Sequence, residues 1–210
     1  MRILLTGFAP FGGDSENASQ LAVELLSQRW NHPQTELISA ILPVGFQTGP
    51  AELRRQIAQY QPDAVICVGE AGGRTAVTPE LRASQLADAR IPDESGLRPR
   101  QEPLDDGPEF LITRLDSAAQ VAAIRSLGLP AELSEDAGAF VCNAVFRTAL
   151  RDFSGPAGFI HIPAVRTRGK ASVGNETDKN ILPTSSTVDY DWTVPDLARA
   201  LAAAVATLSD

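Results

Sequence analysis

Three short apolar runs constrain this chain more than any other feature: Arg2 to Thr6, Asp63 to Gly69 ("DAVICVG") and Ala157 to Ile162 ("AGFIHI"). Their apolar residues are consecutive rather than alternating, which is the pattern of strands covered on both faces. Between the first two, Ala18 to Trp30 carries Leu21, Leu25 and Leu26 on one side, Thr35 to Leu42 reads as another strand, and Pro50 to Tyr60 turns Leu53 and Ile57 inward. The order β-α-β-α-β predicts an α/β fold, a three-layer α/β/α sandwich around a mostly parallel twisted sheet. Its ligands would sit beyond the carboxyl ends of the strands.

The remainder is less regular. Arg74 to Ala89 reads as extended, and "ARIPDESGLRPRQEPLDDGPEF" is a long Pro- and Gly-rich connection of the kind that often covers a site. Asp116 to Leu127 is predicted helical, and Pro130 to Ser134 a further strand. Arg166 to Tyr190 is polar and weakly patterned, hence loop, and Val194-Pro195-Asp196 opens an Ala/Leu-rich helix to Leu208. No internal repeat or linker interrupts the 210 residues, so a single domain over 1–210 is expected.

Composition narrows the function classes. A net charge of −8 without any Lys/Arg run argues against a nucleic-acid or anionic-membrane surface, leaving a small molecule or a peptide as partner. Two cysteines, one inside an apolar strand pattern, form neither a disulfide framework nor a zinc spacing, which implies a reducing compartment. The start of the chain is too short for a signal peptide and no apolar run reaches membrane-spanning length, so a cytoplasmic location is expected.

Chemistry concentrates in "SEDAGAFVCNAVFRTAL", Ser134 to Leu150. Cys142 stands where a strand-like segment gives way to a helix carrying Val145, Phe146 and Leu150, and a helix N-terminus favours a thiolate. A free cysteine is equally often a small buried hydrophobe, which is how Cys67 reads. "GFAPFGG" after the first strand fails both phosphate-loop patterns, but Phe8 and Phe11 would line an apolar pocket there, if they are not ordinary core. His32 belongs to a surface turn. His161 ends a buried strand at the ligand edge, either as a satisfied core histidine or as the partner of Cys142. A Cys–His pair needs a third group to orient the imidazole, and Glu80 in Thr78-Pro79-Glu80 is a candidate.

Taken together, "LLTGFAPFGG" with Asn17 after it, "LPVGF", "ICVGEAGGRTAVTPE", "DARIPDE", "LPAELSEDAGAFVCN" and "GFIHIP" resemble the pyroglutamyl peptidase I (pyrrolidone-carboxylate peptidase) family from Ile3 to about Pro163. The resemblance implies Cys142 as nucleophile, His161 as general base and acid, and Glu80 orienting the imidazolium. It further implies Phe8, Phe11, Ile91, Phe140 and Val141 around the lactam ring, Asn17 and backbone near Glu70 holding it, and Arg90 at the oxyanion. Members of the family are cytoplasmic α/β/α globules that need no metal or cofactor and are usually homotetramers. The implied substrate is a peptide with an N-terminal pyroglutamyl (5-oxoproline) residue.

A pyroglutamyl group carries no amino-terminal charge, so its pocket should be apolar and aromatic, with no carboxylate waiting for an ammonium. Two departures from the family pattern bear on this. Glu70 stands where glutamine is common, Arg147 stands where an aromatic is common, and the two are expected to compensate one another as an ion pair. After Pro163 the chain also lacks the family's "PEQ"-like continuation. Two further readings stay open: a weakened relative that binds a cyclic amide or capped peptide without cleaving it, and a nucleoside- or phosphate-handling enzyme, against which the absence of a basic loop counts.

Overall fold

The computed structural model describes residues 1–166 and 190–208, so all but the ends of the predicted loop from Arg166 to Tyr190 lies outside the described residues. In chain order the first elements are β1 (Arg2–Phe8), α1 (Ala18–Arg29), β2 (Glu36–Leu42), α2 (Thr48–Tyr60) and β3 (Ala64–Ala71). Five short strands follow: β4 (Thr78–Pro79), β5 (Arg82–Ser84), β6 (Leu86–Ala87), β7 (Glu102–Pro103) and β8 (Phe110–Ile112). The chain continues through α3 (Ser117–Ser126), α4 (Val141–Asp152), β9 (Ala157–Pro163) and α5 (Val194–Ala206).

The main sheet has the order β2-β1-β3-β9-β4, parallel throughout except for β4, which runs antiparallel to β9. Strand alternation divides its side chains between two cores. Leu4, Phe8, Val65, Cys67 and Phe159 face α2 and α4, whereas Ile3, Leu5, Ile66, Val68, Ile160 and Ile162 face α1, α3 and α5. That makes three layers, α/β/α. Each fully buried Leu, Ile or Phe contributes roughly 1.5–3 kcal/mol, which is why the consecutive apolar runs specify the central strands so firmly.

Helix ends follow ordinary capping chemistry. The Asn17 side chain accepts from the Ser19 amide at the head of α1, and Thr193 does the same for Asp196 at the head of α5, with Pro195 in its first turn. The chain order β1–α1–β2 moves to one side of β1 and β3 lies on the other, so the sheet reverses direction between β1 and β3. A cleft opens at the carboxyl ends on either side of such a reversal.

Two segments differ from expectation. Pro130 to Ser134 forms isolated bridges, Val77 with Ala131 and Glu80 with Ser134, rather than a strand. Pro79 lies between them and has no N–H to give to a ladder. The connection after Ala89 is shaped by β7 and β8, which pair with β6 and β5 respectively. Asp93 pins it by accepting from the amides of Phe46 (2.8 Å), Ser95 (2.9 Å) and Leu97 (2.8 Å), while Glu94 accepts from the Val44 amide at 3.1 Å.

Candidate active site

Cys142 is the second residue of α4. The helix starts from Phe140, whose side chain makes no capping bond, and its first backbone bond runs from the Ala144 amide to the Phe140 carbonyl at 3.2 Å. The preceding amides therefore have no acceptor within the helix, and with the helix dipole they favour negative charge at this spot. Gly138 supplies the turn into the helix at φ 75°, a conformation that other residues rarely adopt.

His161 lies on β9 in register with Gly69 of β3, two residues after Phe159, so its side chain projects toward the α4 layer. On that face Gly69 leaves a gap that the thiol fills, since a Cβ on Gly69 would lie 2.8 Å from Cys142 Sγ and 2.8 Å from the Phe159 ring. Imidazole and thiol thus stand on one side of the sheet and line one cavity. Behind the imidazole, Glu80 is fully buried, with Oε1 2.7 Å from His161 Nδ1. An ionised Glu80 accepts from Nδ1–H and leaves Nε2 with its lone pair. The same Oε1 is 2.9 Å from Arg74 Nη2, which also donates to the Asp136 carbonyl at 2.7 Å, while Nη1 of Arg74 bonds the Thr78 hydroxyl.

The cavity measures about 100 Å³, enough for a small group. Of the residues expected around a ring, Phe8, Phe11, Asn17, Glu70, Phe140 and Val141 line it. Phe140 packs against Phe11 (centroids 5.8 Å) and edge-on to Phe46 (5.3 Å), making an aromatic wall. Phe8 serves the core as well, 2% exposed, and the Asn17 side chain is occupied with Ser19 and, at 3.3 Å, the Ala9 carbonyl. Ile91 and Arg90 are not part of the cavity wall. Asp93 and Glu94 draw the turn that carries them onto the connection between β2 and α2, and Arg90 Nη2 is buried without a hydrogen-bond partner among the described residues. Nor does any residue of the 92–110 connection line the cavity.

The expected Glu70–Arg147 ion pair is not formed. Glu70 follows Gly69 by one residue and so points to the opposite face, where its Oε2 accepts from the Ala18 amide at 2.6 Å and from Arg166 Nη1 at 2.6 Å. Its Oε1 accepts from Arg166 Nη2 at 2.7 Å, and Arg166 Nη2 also reaches Asp14 at 2.6 Å. Arg147, on the α4 side, pairs with Asp105 through Nε (2.7 Å) and Nη2 (2.6 Å). The sheet itself separates the two residues.

Arg74, Asp14, Glu16 and Arg166 are charged cavity residues that the sequence did not single out. Arg74 and Asp14 sit inside or beside the quoted motifs, so a signal existed for them. Arg166, three residues past β9 at the edge of a weakly patterned stretch, had none. Cys67 is buried in the core, and desolvation pushes its thiol up to about 12, outweighing the opposing influence of the neighbouring Thr6 side chain.

This architecture is shared with known proteins. The family model described as "Pyroglutamyl peptidase" matches residues 1–204. Pyrrolidone-carboxylate peptidase 1 of Streptococcus pneumoniae serotype 4 is 44% identical over 169 residues, 78% of each chain. The pyrrolidone-carboxylate peptidase of Streptococcus pyogenes serotype M4 is 42% identical over the same length. Among solved structures, pyroglutamyl peptidase I from Bacillus amyloliquefaciens aligns with a TM-score of 0.83 at 36% identity, covering 98% of this chain and 93% of that one. Pyrrolidone carboxyl peptidase from Thermococcus litoralis aligns at 0.82 and 29% identity, covering 98% and 92%.

Proposed function

The chain belongs to the pyroglutamyl peptidase family, and from that premise we propose that Cys142, His161 and Glu80 are its catalytic triad. The reaction is that of a cysteine peptidase removing an N-terminal pyroglutamyl residue. The observation that carries the assignment is the 2.7 Å contact between His161 Nδ1 and buried Glu80, on the same sheet face where Gly69 makes room for the Cys142 sulfur.

The roles follow from position. The thiolate attacks the acyl carbon, and the first-turn amides of α4 lie on the nucleophile's own backbone, where an oxyanion hole is needed. Glu80 holds the imidazolium while His161 gives its proton to the leaving amine, after which neutral His161 takes one from water to release the acyl group. The aromatic wall of Phe11 and Phe140 suits an uncharged ring. The departure at position 70 is compensated by Arg166, which holds the Glu70 carboxylate through two bonds.

Release of a chromophore from a pyroglutamyl amide tests the assignment. Cys142→Ser and thiol alkylation should abolish it, and Cys67→Ser should retain it. A fully active Cys142→Ser protein would overturn the triad. Family likeness extends the proposal to a single-domain, metal-free, cytoplasmic homotetramer, with no nucleic-acid or membrane partner. Light scattering on the purified protein would read the assembly state.

A further inference from the structure

A pocket for an uncharged lactam should hold no carboxylate ready for an ammonium, yet Asp14, Glu16 and Glu70 are all in the cavity wall. None has a part in the proposed chemistry, and two of them, Asp14 and Glu70, share one cation. Their side chains are only 7% exposed, and between them lies the Arg166 guanidinium, 6% exposed, holding Glu70 through two bonds and Asp14 through a third. The three come from the connection after β1, the end of β3 and the segment after β9, so only the folded sheet edge assembles them.

We propose that Arg166 is a specificity-determining residue of this cavity, offsetting part of the charge of Glu70 and Asp14 and occupying the place of a cation between them, so that the wall favours a neutral N-terminal ring over the ammonium of an ordinary peptide. The inference rests on the function proposed above and deepens it.

The physical argument is one of charge in a poorly solvated place. Without this guanidinium, carboxylates so little exposed would attract an ammonium more strongly, because water screens them little. With Arg166 present, both Glu70 oxygens are engaged by the guanidinium and one of them also by the α1 N-terminus through the Ala18 amide. An incoming ammonium then finds a guanidinium already in place and must compete with it. A lactam needs no counter-ion and meets no such obstacle. The bonds to Glu70, followed by those to Asp14, outweigh burial and raise the Arg166 pKa well above its ordinary value, so the cation persists at every working pH. The cavity's other arginine, Arg74, is committed to Glu80 and the Asp136 carbonyl and does not substitute for it.

Two five-membered rings serve as probes: 2-pyrrolidone, a neutral lactam, and pyrrolidine, which is an ammonium at pH 8. Ligand-observed NMR titration gives their affinity ratio without requiring turnover. Arg166→Met, which takes the guanidinium away from Glu70 and Asp14, should raise the pyrrolidine-to-pyrrolidone ratio by about tenfold or more, and Glu70→Gln should lower it. The double variant Glu70→Gln/Arg166→Met, with the wild-type net charge, should return toward the wild-type ratio. A folded Arg166→Met protein with a ratio within about twofold of wild type would overturn the proposal. Where Arg166→Met does not fold, equal ratios in Glu70→Gln and the double variant would overturn it. Wild-type protein that binds neither ring would sink the peptidase reading too. Lactam binding with a ratio unmoved by any variant would sink this inference alone.

Discussion

Cys142 Sγ rests where the side chain of Gly69 would begin, and a Cβ built on Gly69 would stand 2.8 Å from the sulfur. Because Gly69 is the in-register neighbour of His161, the missing side chain lets the thiol stand beside the imidazole. Gly69→Ala should therefore displace the thiol or the Phe159 ring. We expect kcat/KM to fall about 10²-fold, the scale of an ångström's misplacement, in a protein that still unfolds cooperatively. Steady-state kinetics beside thermal unfolding would check this, and unchanged kinetics would remove the steric account.

The two thiols should differ sharply in reactivity. Cys67 is fully buried and its thiol is pushed up to about 12 by desolvation, while Cys142 is partly exposed at a helix N-terminus. Iodoacetamide at pH 8 followed by peptide mass spectrometry should find label on Cys142 and almost none on Cys67. Equal labelling in the folded protein would contradict the assignment.

Glu80→Gln preserves shape and removes the charge facing His161 Nδ1. Loss of imidazolium stabilisation should lower kcat by about 10³-fold or more, with little change in KM. A loss confined to KM would mean that Glu80 shapes binding rather than chemistry.

Acid should release the 90–110 connection from α4. The hydrogen bonds of Arg147 hold the Asp105 carboxyl down at about 2, against its burial, with help from the Gly107 amide. A depressed carboxylate contributes stability above its unfolded value and loses it as pH falls, here from about 4 toward about 2, on the order of 2 kcal/mol. Urea unfolding should show that loss in the wild type and a flatter slope over this range in Asp105→Asn. At pH 7 the same variant should be less stable by about 3 kcal/mol, because Arg147, 1% exposed, loses its buried partner. A wild-type-like slope in Asp105→Asn would place the acid sensitivity elsewhere.

The elements legible in advance were those with many residues to state their pattern. The first, third and last strands were read within two residues at either end because burial on both faces leaves no polar position inside them. The nucleophile helix begins at Val141, one residue before the cysteine read as standing at its start, since helix periodicity is set by later turns. The short strands β4, β5 and β6 fall within the stretch from Arg74 to Ala89 that reads only as extended, and β7 and β8 left no pattern of their own, because partners elsewhere in the chain fix them.

What the sequence determined by itself was the layered α/β fold and the identity of Cys142, His161 and Glu80 as residues to watch, since apolar runs and residue chemistry are local properties. What only the tertiary structure decided was partnership. Arg166 and Asp14 stand 152 positions apart, and Glu70 meets them rather than Arg147 because successive residues of a strand face opposite layers. The charge compensation that Arg166 supplies in the cavity depends on that parity and on the end of the sheet where the strands finish, and neither is written in any one segment of the chain.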